Sequence, residues 1–174
     1  MEGPAAERRR AGSRGRGISP GRASRRVTSR VRSSVTIDAP IEDVFAFFDD
    51  LKFARLLVPQ LVEITGVEDL PNGGRRVSYT TLGRDHQVFD ASSEHLVYDP
   101  PEQTVGRSVQ SGVEMLSTRR FTAIADDRTR VDAVVEWSVP VRFVAKMVER
   151  PLRRPLRAAL RNGLATAKSY LERA

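Results

Sequence analysis

Residues 150–174 read RPLRRPLRAALRNGLATAKSYLERA, and this stretch decides the fold. Plotted at about 100° per residue, its leucines fall on one side of a helix and its arginines on an adjoining stripe. The apolar side comprises Leu152, Leu156, Leu160, Leu164 and Leu171, with Ala159, Ala167 and Tyr170 between them. The basic stripe comprises Arg150, Arg153, Arg154, Arg157, Arg161 and Lys168. The sequence therefore predicts a long amphipathic helix whose apolar side is buried against the rest of the domain.

Most of the chain before this helix has the pattern of antiparallel strands. From residue 61 onward, alternating runs are separated by turn signals such as the Pro-Asn-Gly-Gly of residues 71–74. With a first strand at residues 30–38, these runs predict a meander of seven strands. We therefore expect an α+β fold in which the sheet curls around the long helix and leaves a binding cavity between them.

The segment DAPIEDVFAFFDD, residues 38–50, predicts a short helix after the first strand. Pro40 suits the first helical position, and Glu42 and Asp43 complement the positive end of the helix dipole. Its apolar face comprises Ile41, Val44, Phe45 and Phe48. A second short helix is predicted at residues 51–57, because the chain stays apolar there until the next proline.

Pro151 and Pro155 interrupt the long C-terminal pattern. Each lacks the N–H that an interior helical position donates. We therefore expect residues 141–149 to form a separate or kinked segment, with regular helix from about Pro151 or Pro155. Such a joint would lie near the mouth of the cavity.

The composition excludes several classes of site. The chain has no Cys, so disulfides and thiolate metal sites are impossible, which suits a reducing cytoplasm. No apolar run approaches the ~20 residues that a membrane-spanning helix needs. No glycine-rich phosphate loop or serine-nucleophile motif is found, and we predict neither a metal nor a cofactor.

The N-terminal residues 1–30 differ from everything that follows. They hold nine Arg and two Glu, whereas residues 31–174 hold 20 basic and 20 acidic residues, so the net charge of +7 belongs to the tail. With few apolar side chains, the tail is predicted to be disordered. A basic arm of this kind can contact nucleic acid or an anionic membrane weakly, but a solvated extension or a downstream translation start explains it equally.

The order of elements in residues 31–174 resembles the START-like, or SRPBCC, superfamily. The resemblance rests on Ile37-Asp38-Ala39-Pro40 followed by Val44-Phe45, and on the terminal helix. It implies the helix-grip fold of polyketide cyclase/dehydrase, lipid-transport and coenzyme Q-binding-like proteins. It also implies a hydrophobic small-molecule ligand, held between sheet and helix in a bacterial cytoplasmic protein. No catalytic residue can be transferred by matching.

Seven residues are predicted to line the ligand cavity. They lie on inward strand faces or on the apolar side of the last helix: Val77, Tyr79, Phe121, Val135, Trp137, Leu156 and Leu160. Tyr79 and Trp137 each combine an apolar ring with one polar atom, which suits an apolar ligand carrying an oxygen. Plain core packing explains these two rings as well as ligand binding does.

The histidines and the charged strand residues are interpreted as surface groups. His86 and His95 are the only histidines and have no metal-ligand spacing around them. Four charged residues alternate with apolar ones, namely Asp90, Arg119, Arg120 and Glu136. An ionisable group turned into the cavity beside Tyr79 would indicate acid–base catalysis, but the solvated side of a strand is the favoured interpretation.

Three hypotheses about function remain open. The first is the binding or carrying of a lipid, quinone or polyketide-like molecule without catalysis. The second is a cyclase or dehydratase acting on a polyketide-like substrate. The third is a nucleic-acid or ribosome-associated module that acts through the basic tail.

Overall fold

The computed structural model describes residues 26–83, 86–110, 113–140 and 145–173, with only the backbone course for 26–27, 110, 139–140 and 145–152. Within these ranges, seven strands form one antiparallel sheet. They are β1 (Arg26–Ile37), β2 (Leu61–Asp69), β3 (Arg75–Leu82), β4 (Val88–Asp99), β5 (Gln103–Gln110), β6 (Val113–Ala125) and β7 (Arg128–Pro140). The order across the sheet is β1-β7-β6-β5-β4-β3-β2. The predicted meander is confirmed, with the first strand closing beside the last.

The first strand begins earlier than predicted. Its pairing with β7 starts at Arg26 opposite Pro140, four residues before the expected start at Arg30. Arginine, serine and threonine side chains of residues 26–30 lack an apolar alternation, so the pattern that marked the strand was missing there. The rest of the tail, residues 1–25, lies outside the described residues. Its disorder therefore stays a prediction.

One face of the sheet is apolar where β1 and β7 meet. Val31 pairs with Val135, and Val35 pairs with Val131, so valines stand side by side on the inner face. Val31 and Val131 are fully buried. The predicted alternation therefore places the core on this face of both strands.

Two short helices follow β1, as predicted. Helix α1 spans Ile41–Asp49, with Pro40 at the N-cap, and a 3₁₀ turn at Leu51–Phe53 leads into α2, Ala54–Leu57. Helix α1 buries Val44, Phe45 and Phe47. Phe47 lies next to the face predicted from the sequence, and it is buried because Phe53 of the 3₁₀ turn and Tyr170 of α3 pack against its ring.

The long helix α3 spans Ala145–Leu171. It already includes residues 145–149 and continues through both prolines, so the predicted separation of that segment from the helix is wrong. A proline removes one helical hydrogen bond and bends a helix more often than it must end it. Residues 141–144 lie outside the described residues.

The predicted faces of α3 are confirmed along most of its described length. Leu164 and Ala167 are buried. Leu156, Leu160 and Leu171 are half-buried against the core, whereas the described arginines of the stripe are exposed. Ala159 and Tyr170 lie at the margin and are exposed.

The C-terminal end of α3 is anchored to the end of β1. Lys168 Nζ donates a hydrogen bond to the Thr36 carbonyl at 2.8 Å, and the Asp38 N–H donates to Glu172 at 2.9 Å. The more N-terminal part of α3, around Leu156, packs beside Trp137 near the other end of the sheet. The helix thus crosses the inner face of the sheet and encloses space beneath it.

Candidate functional site

Space remains between the inner face of the sheet and the helices, and we call its larger part the polar chamber. Its volume is about 250 Å³. It is lined by Phe48, Asp49, Leu51, Val58, Arg75, Val77, Tyr79, Ser93, Glu94, His95, Gly106, Arg107, Ser108, Ser117 and Arg119. Most of these residues come from the central strands β3 to β6, whereas the described contacts of α3 with the sheet are mainly with β1 and β7. The wall of the chamber combines hydroxyl, carboxylate, imidazole and guanidinium groups with apolar surface of similar extent.

A second space lies under α3, and we call it the apolar chamber. Its volume is about 240 Å³. It is lined by Phe48, Leu57, Val58, Pro59, Gln60, Arg119, Ala133, Val135, Leu156, Ala159, Leu160, Gly163 and Leu164. A side cavity of about 130 Å³, between α2 and strands β2 and β3, shares Val77, Tyr79 and Ser93 with the polar chamber. Phe48, Val58 and Arg119 line both chambers and form the partition between them.

Asp49, the last residue of α1, is held at the wall of the polar chamber. Its Oδ2 accepts hydrogen bonds from the Arg75 guanidinium and from the Tyr98 hydroxyl, the latter at 3.2 Å. Its Oδ1 is buried and has no hydrogen-bond partner among the described residues. A buried carboxylate oxygen without a donor costs free energy, so the Asp49 side chain is held in the wall at a cost to stability.

His95 faces the same chamber from β4. The Arg75 backbone N–H donates to its Nδ1 at 3.2 Å, which fixes the tautomer with the proton on Nε2. Burial lowers the pKa of His95 below its ordinary value, the nearby Arg75 and Arg119 charges lower it further, and Asp49 opposes them. The imidazole is therefore neutral at pH 7 and offers an N–H donor.

A glycine makes room for this histidine. A Cβ atom at Gly74 would lie 2.6 Å from the His95 Cβ, which no side chain tolerates. The preceding Asn72 donates a hydrogen bond from its side-chain amide to the His95 carbonyl at 3.0 Å. The turn between β2 and β3 therefore also positions His95.

Arg119 stands on the inner face of β6 at the partition. Its guanidinium lies 5.6 Å from the centre of the Phe48 ring. Burial lowers the pKa of Arg119 from its usual value, and no carboxylate in the described part of the chain forms an ion pair with it. Because an arginine stays protonated in proteins, this is a partly buried cation without a counter-charge. Such a group favours a ligand oxygen that carries partial or full negative charge.

Two tyrosines belong to this region: Tyr79 lines the polar chamber, and Tyr98 contacts two of its lining residues, His95 and Asp49. Burial raises the pKa of Tyr79, against a smaller opposing effect of its hydrogen bond with Ser93. Burial, with Asp49 nearby, raises the pKa of Tyr98, whose ring stacks on His95 with the ring centres 5.1 Å apart. Both hydroxyls therefore keep their protons at neutral pH and act as hydrogen-bond donors.

The seven residues predicted to bind ligand are distributed over three places. Val77 and Tyr79 line the polar chamber, whereas Val135, Leu156 and Leu160 line the apolar chamber. Phe121 and Trp137 line neither chamber; Phe121 is packed between Phe45 and Phe48, and Trp137 against β1 and α3. Both side chains are packed in the hydrophobic core. Ligand contact by the other five stays a prediction.

The interpretation of Arg119 and His95 as surface groups is wrong. Arg120 and Asp90 are exposed as expected, but Arg119 lies inward because it is two residues from the buried Phe121 on the same strand face. His86 is an exposed turn residue, whereas His95 is two residues from Ser93 and shares its inward face. The two-residue alternation of a strand therefore indicated that Arg119 and His95 face inward. The Asp49 carboxylate gave no such signal, since it resembles the acidic end of any surface helix.

No group of three or more His, Asp or Glu side chains in the described ranges is arranged to hold a metal ion. Among those residues, no helix is long and apolar enough to cross a membrane.

The curled sheet, the gripped helix and the enclosed chambers define the class of protein: a helix-grip, START-like domain built to bind a small molecule. The chain belongs to the polyketide cyclase/dehydrase and lipid transport family, whose model matches residues 28–172. Hydrophobic small-molecule binding is what this family implies for the chain. Nothing in the family description supports nucleic-acid or membrane contact through residues 1–30.

Several solved structures share the fold at low sequence identity. The di-domain ARO/CYC protein StfQ from the steffimycin biosynthetic pathway matches with a TM-score of 0.69 and 16% identity, over 84% of this chain and 52% of that one. TTHA0849 from Thermus thermophilus matches with 0.67 and 14%, over 83% and 98%. The Zhui aromatase/cyclase from Streptomyces sp. R1128 matches with 0.61 and 16%, over 81% and 94%. The chain spans about half the length of StfQ, and a comparison with curated proteins found no match.

Proposed function

We propose that the chain is an enzyme of the cyclase/dehydratase type that acts on a small polycarbonyl compound in the polar chamber. One observation carries the proposal: the Asp49 carboxylate and Arg119, a cation with no ion-pair partner among the described residues, line the same chamber. A cavity made only to store an apolar molecule has no use for such groups, since each costs free energy to bury. They are stabilised when a reacting carbonyl compound contacts both.

The chemistry assigned to these groups is enolisation followed by carbon–carbon bond formation. The Asp49 carboxylate removes a proton from the carbon next to a substrate carbonyl, while Arg119 stabilises the negative charge that develops on the carbonyl oxygen. The enolate carbon then attacks a second carbonyl of the same molecule and closes a ring. The His95 Nε2–H and the Tyr79 hydroxyl are placed to donate hydrogen bonds to the second oxygen, and loss of water from the resulting alcohol gives the dehydrated ring.

A carrier function is the second candidate, and the apolar chamber favours it. Val135, Leu156 and Leu160 form a wall without charged groups, of the kind that holds lipids or quinones through buried apolar area. The family includes lipid transport as well as catalysis. Under this alternative the ligand would occupy the space under α3 and leave unchanged.

Turnover of a model substrate tests the proposal. The purified protein is mixed with a linear aryl triketone, and ring closure is followed by the absorbance of the aromatic product. We expect catalysed cyclisation that Asp49→Asn reduces by about 10²–10⁴-fold, since general base catalysis contributes that much.

The matched control is Asp132→Asn. Asp132 also accepts from an arginine, with its Oδ2 2.9 Å from Arg130 Nε, but it lies on the outer face of the sheet. Its variant is expected to retain full activity. If the wild type binds the triketone but leaves it unchanged, the carrier alternative stands and the enzymatic proposal is withdrawn.

A further inference from the structure

Phe48 occupies the boundary between two chambers of opposite chemistry. It is the eighth residue of α1 and lines both the polar chamber and the apolar chamber. Val58 and Arg119 complete this boundary. Of the three, Val58 is exposed at its outer end and Arg119 is part of the chemistry, so Phe48 supplies the apolar barrier between the chambers.

The Phe48 ring is held in place by neighbouring rings. Its centre lies 5.7 Å from that of Phe47 in an edge-to-face contact and 5.7 Å from that of Phe121. Both neighbours are almost completely buried, and the Arg119 guanidinium covers the Phe48 ring. Swinging the ring aside would break these aromatic contacts, so they favour the position that separates the two chambers.

Neither chamber alone is large enough for a long ligand. Volumes of about 250 Å³ and 240 Å³ fall below the roughly 300–1,000 Å³ typical of pockets for drug-sized molecules. An alkyl chain that reached from the polar chamber into the apolar chamber would have to pass the boundary formed by Phe48, Val58 and Arg119. A compact oxygenated molecule fits the polar chamber with the ring in place.

We propose that Phe48 is a specificity-determining residue that closes the inner end of the polar chamber. It restricts the substrate to compact, oxygen-rich molecules and excludes long alkyl chains from continuing into the apolar chamber. This inference rests on the proposed function, because it takes the polar chamber as the substrate site. Beyond the proposed function, the inference states a limit on the length of the substrate and names Phe48 as the residue that sets this limit.

A series of 1-aryl-1,3-diketones tests the proposal, with an alkyl arm that increases from one to ten carbons. Affinity is measured by titration calorimetry for the wild type, Phe48→Ala and Phe48→Leu. In the wild type we expect affinity to rise over the first few methylenes and then stay constant. In Phe48→Ala the rise should continue, at up to about fourfold per methylene, as the arm enters the apolar chamber.

Phe53 supplies the matched control, since it stacks on Phe47 with 4.5 Å between ring centres but lines neither chamber. Phe53→Leu should reproduce the wild-type plateau, whereas Phe48→Leu should move it to longer arms. If Phe48→Ala does not fold, the comparison of Phe48→Leu with Phe53→Leu still tests the proposal.

The outcomes separate this inference from the proposed function. A plateau at the same arm length in the wild type and in the Phe48 variants would overturn the inference while leaving the enzyme proposal intact. A shifted plateau without any turnover would support the inference and remove the catalytic half of the proposed function. Failure of every diketone to bind any of the proteins would overturn both.

Discussion

The polar and apolar chambers lie on the same face of one sheet and share a wall, yet they differ in almost every lining group. The apolar chamber is where α3 faces β7, and its side chains are those of an ordinary core that is incompletely filled. The polar chamber is lined mainly by β3 to β6, and its inward positions carry Tyr79, Ser93, His95, Ser117 and Arg119. The chamber under α3 therefore resembles the protein core, whereas the chamber lined mainly by β3 to β6 carries the polar groups of the candidate site.

The difference teaches which groups are retained for function. Inward polar side chains lower stability unless each finds a partner, so a domain under selection for stability alone would replace them. In the polar chamber, Asp49 Oδ2 is satisfied by Arg75 and Tyr98, whereas Asp49 Oδ1 and Arg119 are not satisfied among the described residues. The unsatisfied groups mark where a ligand is expected to bind.

The largest effect that distinguishes the chambers is expected on catalysis. Arg119→Met removes the only unpaired cation described in the polar chamber and should reduce kcat/KM for the model triketone by about 10²–10³-fold, as loss of an oxyanion-stabilising donor does. Leu160→Ala, in the apolar chamber, should reduce it less than tenfold. Steady-state kinetics with both variants measures this, and equal losses would contradict the assignment of chemistry to one chamber.

The next effect is on stability, where a substitution in the core under α3 should cost more than one in the polar chamber. Leu164 is 4% exposed, so Leu164→Ala should lower the free energy of unfolding by about 2–5 kcal/mol. Ser108→Ala, in the polar chamber, and Arg157→Ala, on the exposed stripe, should each cost less than about 1 kcal/mol. Urea denaturation of the three variants provides the comparison; a Ser108→Ala loss as large as that of Leu164→Ala would mean that the polar chamber is structural.

A smaller effect concerns pH. Because the pKa of His95 is lowered in the folded state, the unfolded chain binds a proton first as pH falls below about 6.5. The contribution of His95 to stability is therefore complete above that pH and decreases as pH falls from it toward the lower, folded-state pKa. His95→Gln should make the free energy of unfolding less dependent on pH between about 7.5 and 5.5, a range that spans the ordinary histidine pKa.

The exposed His86 is the control for that experiment. His86→Gln should leave the wild-type slope of stability against pH unchanged, because this side chain is exposed to solvent in the folded protein. Identical slopes for the wild type and His95→Gln would show that the imidazole is not desolvated by the polar chamber.

The smallest effect is expected on tryptophan emission. Trp137 is 1% exposed and packs with Val135, Leu156 and Leu160, so it lies one residue behind the wall of the apolar chamber. A ligand in the apolar chamber should shift its emission by a few nanometres at most, and a diketone in the polar chamber should leave it unchanged. A large shift with the diketone would place the ligand under α3 instead.

How far the sequence alone reaches differs between the chambers. Leu156 and Leu160 were found from helical periodicity, and Val77, Tyr79 and Val135 from strand alternation, because both patterns report directly on burial. Arg119 and His95 follow the two-residue alternation that places their neighbours inward. They were nevertheless predicted to face solvent, because ionisable side chains usually do. Phe121 and Trp137 were placed on the correct face, but the pattern does not distinguish a packed core position from a cavity wall.

The sequence by itself determined the elements, the seven-stranded meander and the buried side of α3, because local periodicity and turn residues specify these. The tertiary structure alone settles that α3 packs mainly on β1 and β7, beside the polar chamber lined by β3 to β6. That choice turned Asp49, at the end of a surface-like helix, toward His95 and Arg119 from distant strands. The physical reason is that a cavity is the volume that packing leaves unfilled, and it depends on how all the elements sit together rather than on any one of them.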